Sequence, residues 1–129
     1  MIKPVMWKFP RCGKECMGCG RKVTIAVPYV LCGTCKLTAM RTCANQNVTH
    51  ADQSVAANLR QAIYVRKIGV DELATSYGYD IRQVRDRLGG REPIPYVDLQ
   101  VYCVTLCVDL PKVCELGVID FMNYLQERR

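Results

Sequence analysis

The sequence is poor in the side chains on which most enzymes rely. A single histidine, His50, stands among its 129 residues. A catalytic cysteine needs a histidine partner, and this one lies in a stretch joining two differently textured parts of the chain. No acid pair, phosphate-binding loop or nucleophile motif occurs, so an enzyme is not expected. No window approaches the ~18 apolar residues of a membrane span, and Met1 to Pro10 lacks the continuous apolar core of a secretory signal. Low-complexity segments and internal repeats are missing too. With 50% hydrophobic residues, the composition predicts a folded, soluble, cytoplasmic protein rather than a disordered or membrane-bound one.

Cysteine is what the chain has in quantity. Its nine cysteines are an odd number that cannot pair completely within one chain, which favours metal-bound thiolates in a reducing compartment over a disulfide scaffold. Four of them form two knuckles, Cys16-Met-Gly-Cys19-Gly and Cys32-Gly-Thr-Cys35. Two ligands separated by two residues can turn inward on one tight loop. A second such pair a dozen residues later can close a tetrahedron, so the spacing predicts a zinc ion held by Cys16, Cys19, Cys32 and Cys35. The intervening run from Arg21 to Leu31 carries Val23, Ile25, Val27, Tyr29 and Val30, as the strand of a zinc ribbon would. Gly20 and Gly33 stand where knuckle backbones are expected to turn. Buried thiols or two disulfides are the bland alternative. Cys12 is a rival ligand, and with Cys43 and His50 it offers a second metal site, although a lone histidine near a helix start more often caps or faces solvent. Cys103, Cys107 and Cys114 lie among apolar residues and read as small core side chains.

Charge is unevenly placed along the chain. Its net value is +6, but residues 1–45 hold eight Lys or Arg against one acid, residues 46–95 seven against six, and residues 96–129 three against five. Four thiolates and one zinc ion would lower the total by about two, leaving a basic N-terminal module suited to nucleic acid or an acidic protein surface. Trp7 and Phe9, flanked by Lys3, Lys8 and Arg11, are expected to cover the side of that module; stacking on bases or a partner is the other reading.

Residues 1–47 are too short to bury a core unaided, because domains below roughly 40 residues usually need a metal or crosslinks. From Ala51 the texture becomes helical. Val55, Leu59, Ile63 and Arg66 share one face of a first helix. A second helix spans Val70 to Tyr77 and is stopped by Gly78. The third begins after Asp80, carries Ile81, Val84 and Leu88 inward and ends at Gly89-Gly90. Beyond Pro93 and Pro95, a fourth runs from Tyr96 to Cys107 and a fifth from about Leu110 to Gln126. The expected fold class is therefore α+β, with a β zinc ribbon over 1–47 and an all-α domain of five helices over 51–129. Leu116, Ile119 and Tyr124 fall off the main stripe of the last helix and read as a homodimer surface.

From Asn58 to Glu115 the helical part resembles the Cro and phage-repressor helix-turn-helix family, also called the xenobiotic-response-element family. The residues carrying the resemblance are Asn58-Leu-Arg, Asp71-Glu-Leu-Ala74, Gly78-Tyr-Asp, Val84, Gly90, Leu99 and Leu106. In that family the third helix enters the major groove of double-stranded DNA. The resemblance thus implies base contacts from Arg82, Gln83, Arg85 and Asp86, and phosphate contacts from Arg87, Arg91, Arg60 and Lys67. The resemblance implies a transcriptional regulator, and small regulators of phages and mobile elements use the same parts. The order of modules is also similar to two-domain zinc antitoxins and to multiprotein bridging factors. Gly69 and Val70 replace the family's usual Ser and Gln, which keeps open an adaptor that docks on a toxin or on RNA polymerase through its basic ribbon.

Overall fold

The computed structural model describes residues 16–21, 31–44 and 48–127. Among the described residues it has α1 (Gly33–Ala44), α2 (His50–Arg66), α3 (Val70–Ser76), α4 (Ile81–Leu88), α5 (Tyr96–Leu106), α6 (Leu110–Glu115) and α7 (Val118–Glu127). No strand occurs among them, so the α+β expectation is corrected. The second cysteine pair opens a helix, where the ribbon reading placed a hairpin. The chemistry is local: residues 33–44 contain no proline, and Lys36, Leu37, Ala39, Met40 and Arg41 are good helix formers. Residues 22–30, which hold most of the expected ribbon strand, lie outside the described residues.

Helix α2 is the element against which α1 and α4 to α7 pack. Thr49 starts it with a reciprocal cap: its hydroxyl accepts from Asp52 N–H at 3.0 Å, and the Asp52 carboxylate accepts from Thr49 N–H at 3.1 Å. Its buried face presents Ala56, Leu59, Ala62 and Ile63. Around it close Leu73, Leu88, Tyr102, Leu106, Phe121 and Leu125, with Met17 of the first cysteine knuckle inside the same core. The first cysteine knuckle is thus packed into the helical body.

Helices α3 and α4 pack together across the turn at Tyr77–Asp80. Gly78 adopts φ 73°, a conformation that side chains resist. The Asp80 carboxylate then accepts from Arg82 N–H at 3.0 Å to begin α4. Gly90, at φ 77°, lies beyond the end of α4, and its carbonyl accepts from Gln53 Nε2 at 2.7 Å.

The expected fifth helix is two helices. Its apolar stripe runs through the break, which is why periodicity missed it; Leu116 is extended at ψ 141° and Gly117 follows. The carbonyls exposed by the break are taken by α2, Asn58 Nδ2 donating to Val113 O at 3.0 Å and Leu116 O at 2.9 Å, and Gln61 Nε2 to Val118 O at 3.1 Å. The expected dimer surface does not form one face. Tyr124 is buried, its hydroxyl accepting from Asp109 N–H at 3.0 Å, Leu116 is half-buried against the core, and only Ile119 stands in solvent at 77% exposure. Likewise Cys103 is buried as expected, but Cys107 and Cys114 are exposed. Among the described residues no helix is long and apolar enough to cross a membrane.

Candidate metal centre

Residues 16–21 fold as a tight knuckle. Cys16 N–H donates to Arg21 O and Gly20 N–H to Cys16 O, both at 2.7 Å, and Gly20 supplies the left-handed turn at φ 82°. Gly18 is required for a different reason: a Cβ there would lie 3.0 Å from Cys35 Sγ and 3.2 Å from Leu31 Cδ2. On the other side, Cys32 immediately precedes α1 and accepts from Cys35 N–H, so a thiolate caps the helix. Gly33 is the first residue of α1 and has open space around it, which is not the turn expected of it.

The sulfurs of Cys16, Cys19, Cys32 and Cys35 all lie within 4.8 Å of one another. Cys19 Sγ and Cys32 Sγ are 3.8 Å apart. Tetrahedral bonds of about 2.3 Å from four thiolates to one ion would set the sulfurs about 3.8 Å apart, so this edge fits a metal. A disulfide needs about 2.05 Å, and all four cysteines are free. Cys16, Cys32 and Cys35 are buried and Cys19 is exposed.

The protonation pattern shows why the cluster calls for a cation. The Cys35 backbone N–H brings the Cys32 thiol down to about 7, against the opposing effect of burial. Burial first, and then the neighbouring Cys16 and Cys32, push Cys35 up to about 12, while Arg91 works the other way. Cys19 is raised, chiefly by burial. A bound cation would favour the thiolate forms of the raised Cys19 and Cys35.

Two arginines tie this centre to the helical body. Arg91 donates from Nη1 to Cys35 Sγ at 3.5 Å and from Nη2 to Gly18 O at 2.7 Å. The same guanidinium grips Asp86 Oδ1 at 2.7 Å from Nη2 and 3.0 Å from Nε. Arg85 donates from Nη1 to Cys16 O at 3.1 Å and Met17 O at 3.2 Å. Gly89 lies at the same junction, where a Cβ would stand 3.1 Å from Arg85 O and 3.3 Å from Arg91 Nη1. Asp86 and the salt-bridge partner Arg91 are only partly exposed, which makes the pairing firmer than a surface one.

The eight residues expected at DNA are therefore not alike. Arg82 and Gln83 are exposed on the first turn of α4, and Lys67 is exposed at the left-handed end of α2. Arg85, Asp86 and Arg91 belong to the knuckle contact. Arg60 donates from Nη1 to Leu88 O at 2.6 Å; burial brings it down to about 10, partly offset by Cys16. Arg87, 5% exposed, donates to Tyr102 OH at 2.9 Å and pairs with Asp98 at 2.8 Å. Burial pulls its guanidinium down, but the Tyr102 and Asp98 contacts outweigh that and hold it above its usual value.

Sequence reasoning missed Arg85 and Arg91 as partners of the knuckle, because no local spacing links residues so far apart in the chain. Arg87 leaves a signal: it lies between the inward-facing Val84 and Leu88 on α4, and a charge there implies a buried partner. Of the second expected metal set, Cys43 Sγ and His50 Nδ1 lie 3.5 Å apart at a cleft of ≈ 530 Å³ lined also by Leu31, Ala39 and Met40. Cys12, like Trp7 and Phe9, lies outside the described residues. No family model matches the chain, and no curated protein or solved structure matches it either.

Proposed function

We propose that the four cysteines hold one zinc ion and that the protein is a DNA-binding regulator presenting the first turn of α4 to the major groove. The observation that carries the DNA reading is the state of α4. Arg82 and Gln83 are exposed together where Asp80 caps the helix, while Arg85, Asp86 and Arg87 behind them are fixed in the fold. Arginine can grip guanine and glutamine adenine through paired hydrogen bonds. Zinc suits a closed set of four soft thiolates, and in that role it supplies folding energy, with no position left open for a substrate. Exposed cations at Arg21, Lys36 and Arg41 lie on the metal-binding segment and Lys67 on α2; they suit phosphate contacts, which position a protein without reading sequence.

DNA selected by the full zinc-loaded protein, and then binding across a salt series, tests this. Arg82→Ala or Gln83→Ala is expected to cost about 1–3 kcal/mol on the selected site and to relax base choice. Lys67→Ala should weaken all sequences alike. Failure of both α4 substitutions to change affinity or preference would leave the helix without a reading role.

A protein-docking adaptor is the second reading, and a specific feature favours it. Arg60, Arg85, Arg87 and Arg91 are committed within the fold, while Leu37 and Met40 on α1 are exposed at 45% and 67%. Binding of a toxin or RNA polymerase through α1 would then replace DNA binding, and DNA affinity would show almost no salt dependence.

A further inference from the structure

We infer that the metal centre is a control input for α4, with Arg91 and Arg85 as the latch through which metal occupancy fixes the position of the helix. The output as DNA affinity rests on the DNA reading above, and the mechanical link on the zinc ion proposed there. Arg91 holds three groups with one guanidinium: the Cys35 sulfur, the knuckle carbonyl of Gly18, and Asp86 on α4. Arg85 reaches from α4 in the opposite direction, to the carbonyls of Cys16 and Met17. Each acceptor on the knuckle is aimed by a segment whose own described backbone–backbone bonds are two turn contacts, Cys16 N–H to Arg21 O and Gly20 N–H to Cys16 O.

Helix α4 needs such support. It has eight residues, below the ~12–15 at which an isolated helix becomes even marginally stable, so its order comes from tertiary contacts. Val84 and Leu88 hold its inner side and Arg87 ties it to α5 through Asp98. The latch holds its outer side. When the ion leaves, the four sulfurs no longer share a ligand that sets their spacing. The Cys35 sulfur and the Gly18, Cys16 and Met17 carbonyls then lose the fixed directions in which Arg91 and Arg85 meet them. Arg91 is thus a positioning residue: it touches the metal's ligand on one side and the reading helix on the other. Arg85 shares the task without touching sulfur.

Amide hydrogen exchange on the full chain, zinc-loaded and after chelation, tests the latch. Chelation is expected to speed exchange in residues 81–88 at least about tenfold while α2, α5 and α7 keep their protection, as for a local opening. Arg91→Ala that still binds one zinc is expected to show the same α4-specific rise, and Arg91→Lys, with one point charge in place of a fork, to recover only part of the protection. Should Arg91→Ala lose zinc, Arg85→Ala gives the same readout with the thiolates untouched. Unchanged exchange of α4 on chelation would overturn the inference, and so would collapse of the whole helical body, or a zinc-loaded Arg85→Ala with native α4 protection. An α4 that responds to zinc in a protein that binds no DNA in either state would leave the latch standing and remove only the DNA reading.

Discussion

The metal centre and the helical body are held together in opposite ways. The body buries Phe121, Leu125, Tyr102 and Leu59 around α2, and its buried polar side chains link its elements: Asn58 and Gln61 donate into the α6–α7 break, and Arg87 meets Asp98 and Tyr102. The centre has only Met17 and Leu31 as large buried side chains among the described residues of the two cysteine segments, and it depends on four sulfurs. Burial can hold the first region without a metal; the second has too little apolar surface to do so. Their junction is made by Arg85 and Arg91, while Arg60 and Arg87 are bound within the body, so of the arginines expected at DNA only Arg82 is exposed.

The largest expected effect falls on the centre. Cys35→Ser removes one ligand of a closed set whose apparent zinc free energy is on the order of 10 kcal/mol, and zinc should fall to a trace in the purified variant while far-ultraviolet circular dichroism stays helical. Full zinc retention would show that the four sulfurs are not one site. Next comes the body: Asp98→Ala leaves the buried Arg87 with only the more distant Glu92, 3.7 Å from its Nε, and should cost about 3 kcal/mol in urea unfolding, with zinc still bound. A loss of zinc as well would make the two regions one cooperative unit and erase the contrast. Thr49→Ala, which undoes the α2 cap, should cost about 1 kcal/mol.

The smallest effect is in alkali. Hydrogen bonding to Asp98, followed by burial, pushes Tyr79 up to about 12, above the about 10 of a free tyrosine. Because the folded value is the higher one, the stabilisation is complete below pH about 10 and is lost as pH rises through about 12. Stability at pH 9 and 11, compared with Tyr79→Phe, measures it; equal pH slopes for both proteins would mean that the Tyr79–Asp98 bond does not contribute.

The helices from 51 to 107 could be read from the sequence because each is punctuated where its periodicity stops: Gly78, then Gly89-Gly90, then Pro93 and Pro95. The break at Gly117 was hidden because apolar residues continue on both sides and the stabilising partners, Asn58 and Gln61, are nearly sixty residues away. The four-cysteine grouping was equally legible, since ligand spacing is local. The backbone around it was not: a Cys-x-x-Cys pair serves as well at the start of a helix, where backbone amides favour thiolate, as on a hairpin loop. Which arginines face solvent was also out of reach, because Arg82 and Arg85 are three residues apart on one short helix and only the docked knuckle distinguishes them.

Zinc content per chain, measured on the full protein purified under reducing conditions, tests the central claim most directly. One tightly bound zinc is predicted, lost in Cys35→Ser and unaffected by Cys43→Ser or His50→Ala. Protein free of zinc, with all four thiols of the centre reactive, would contradict it.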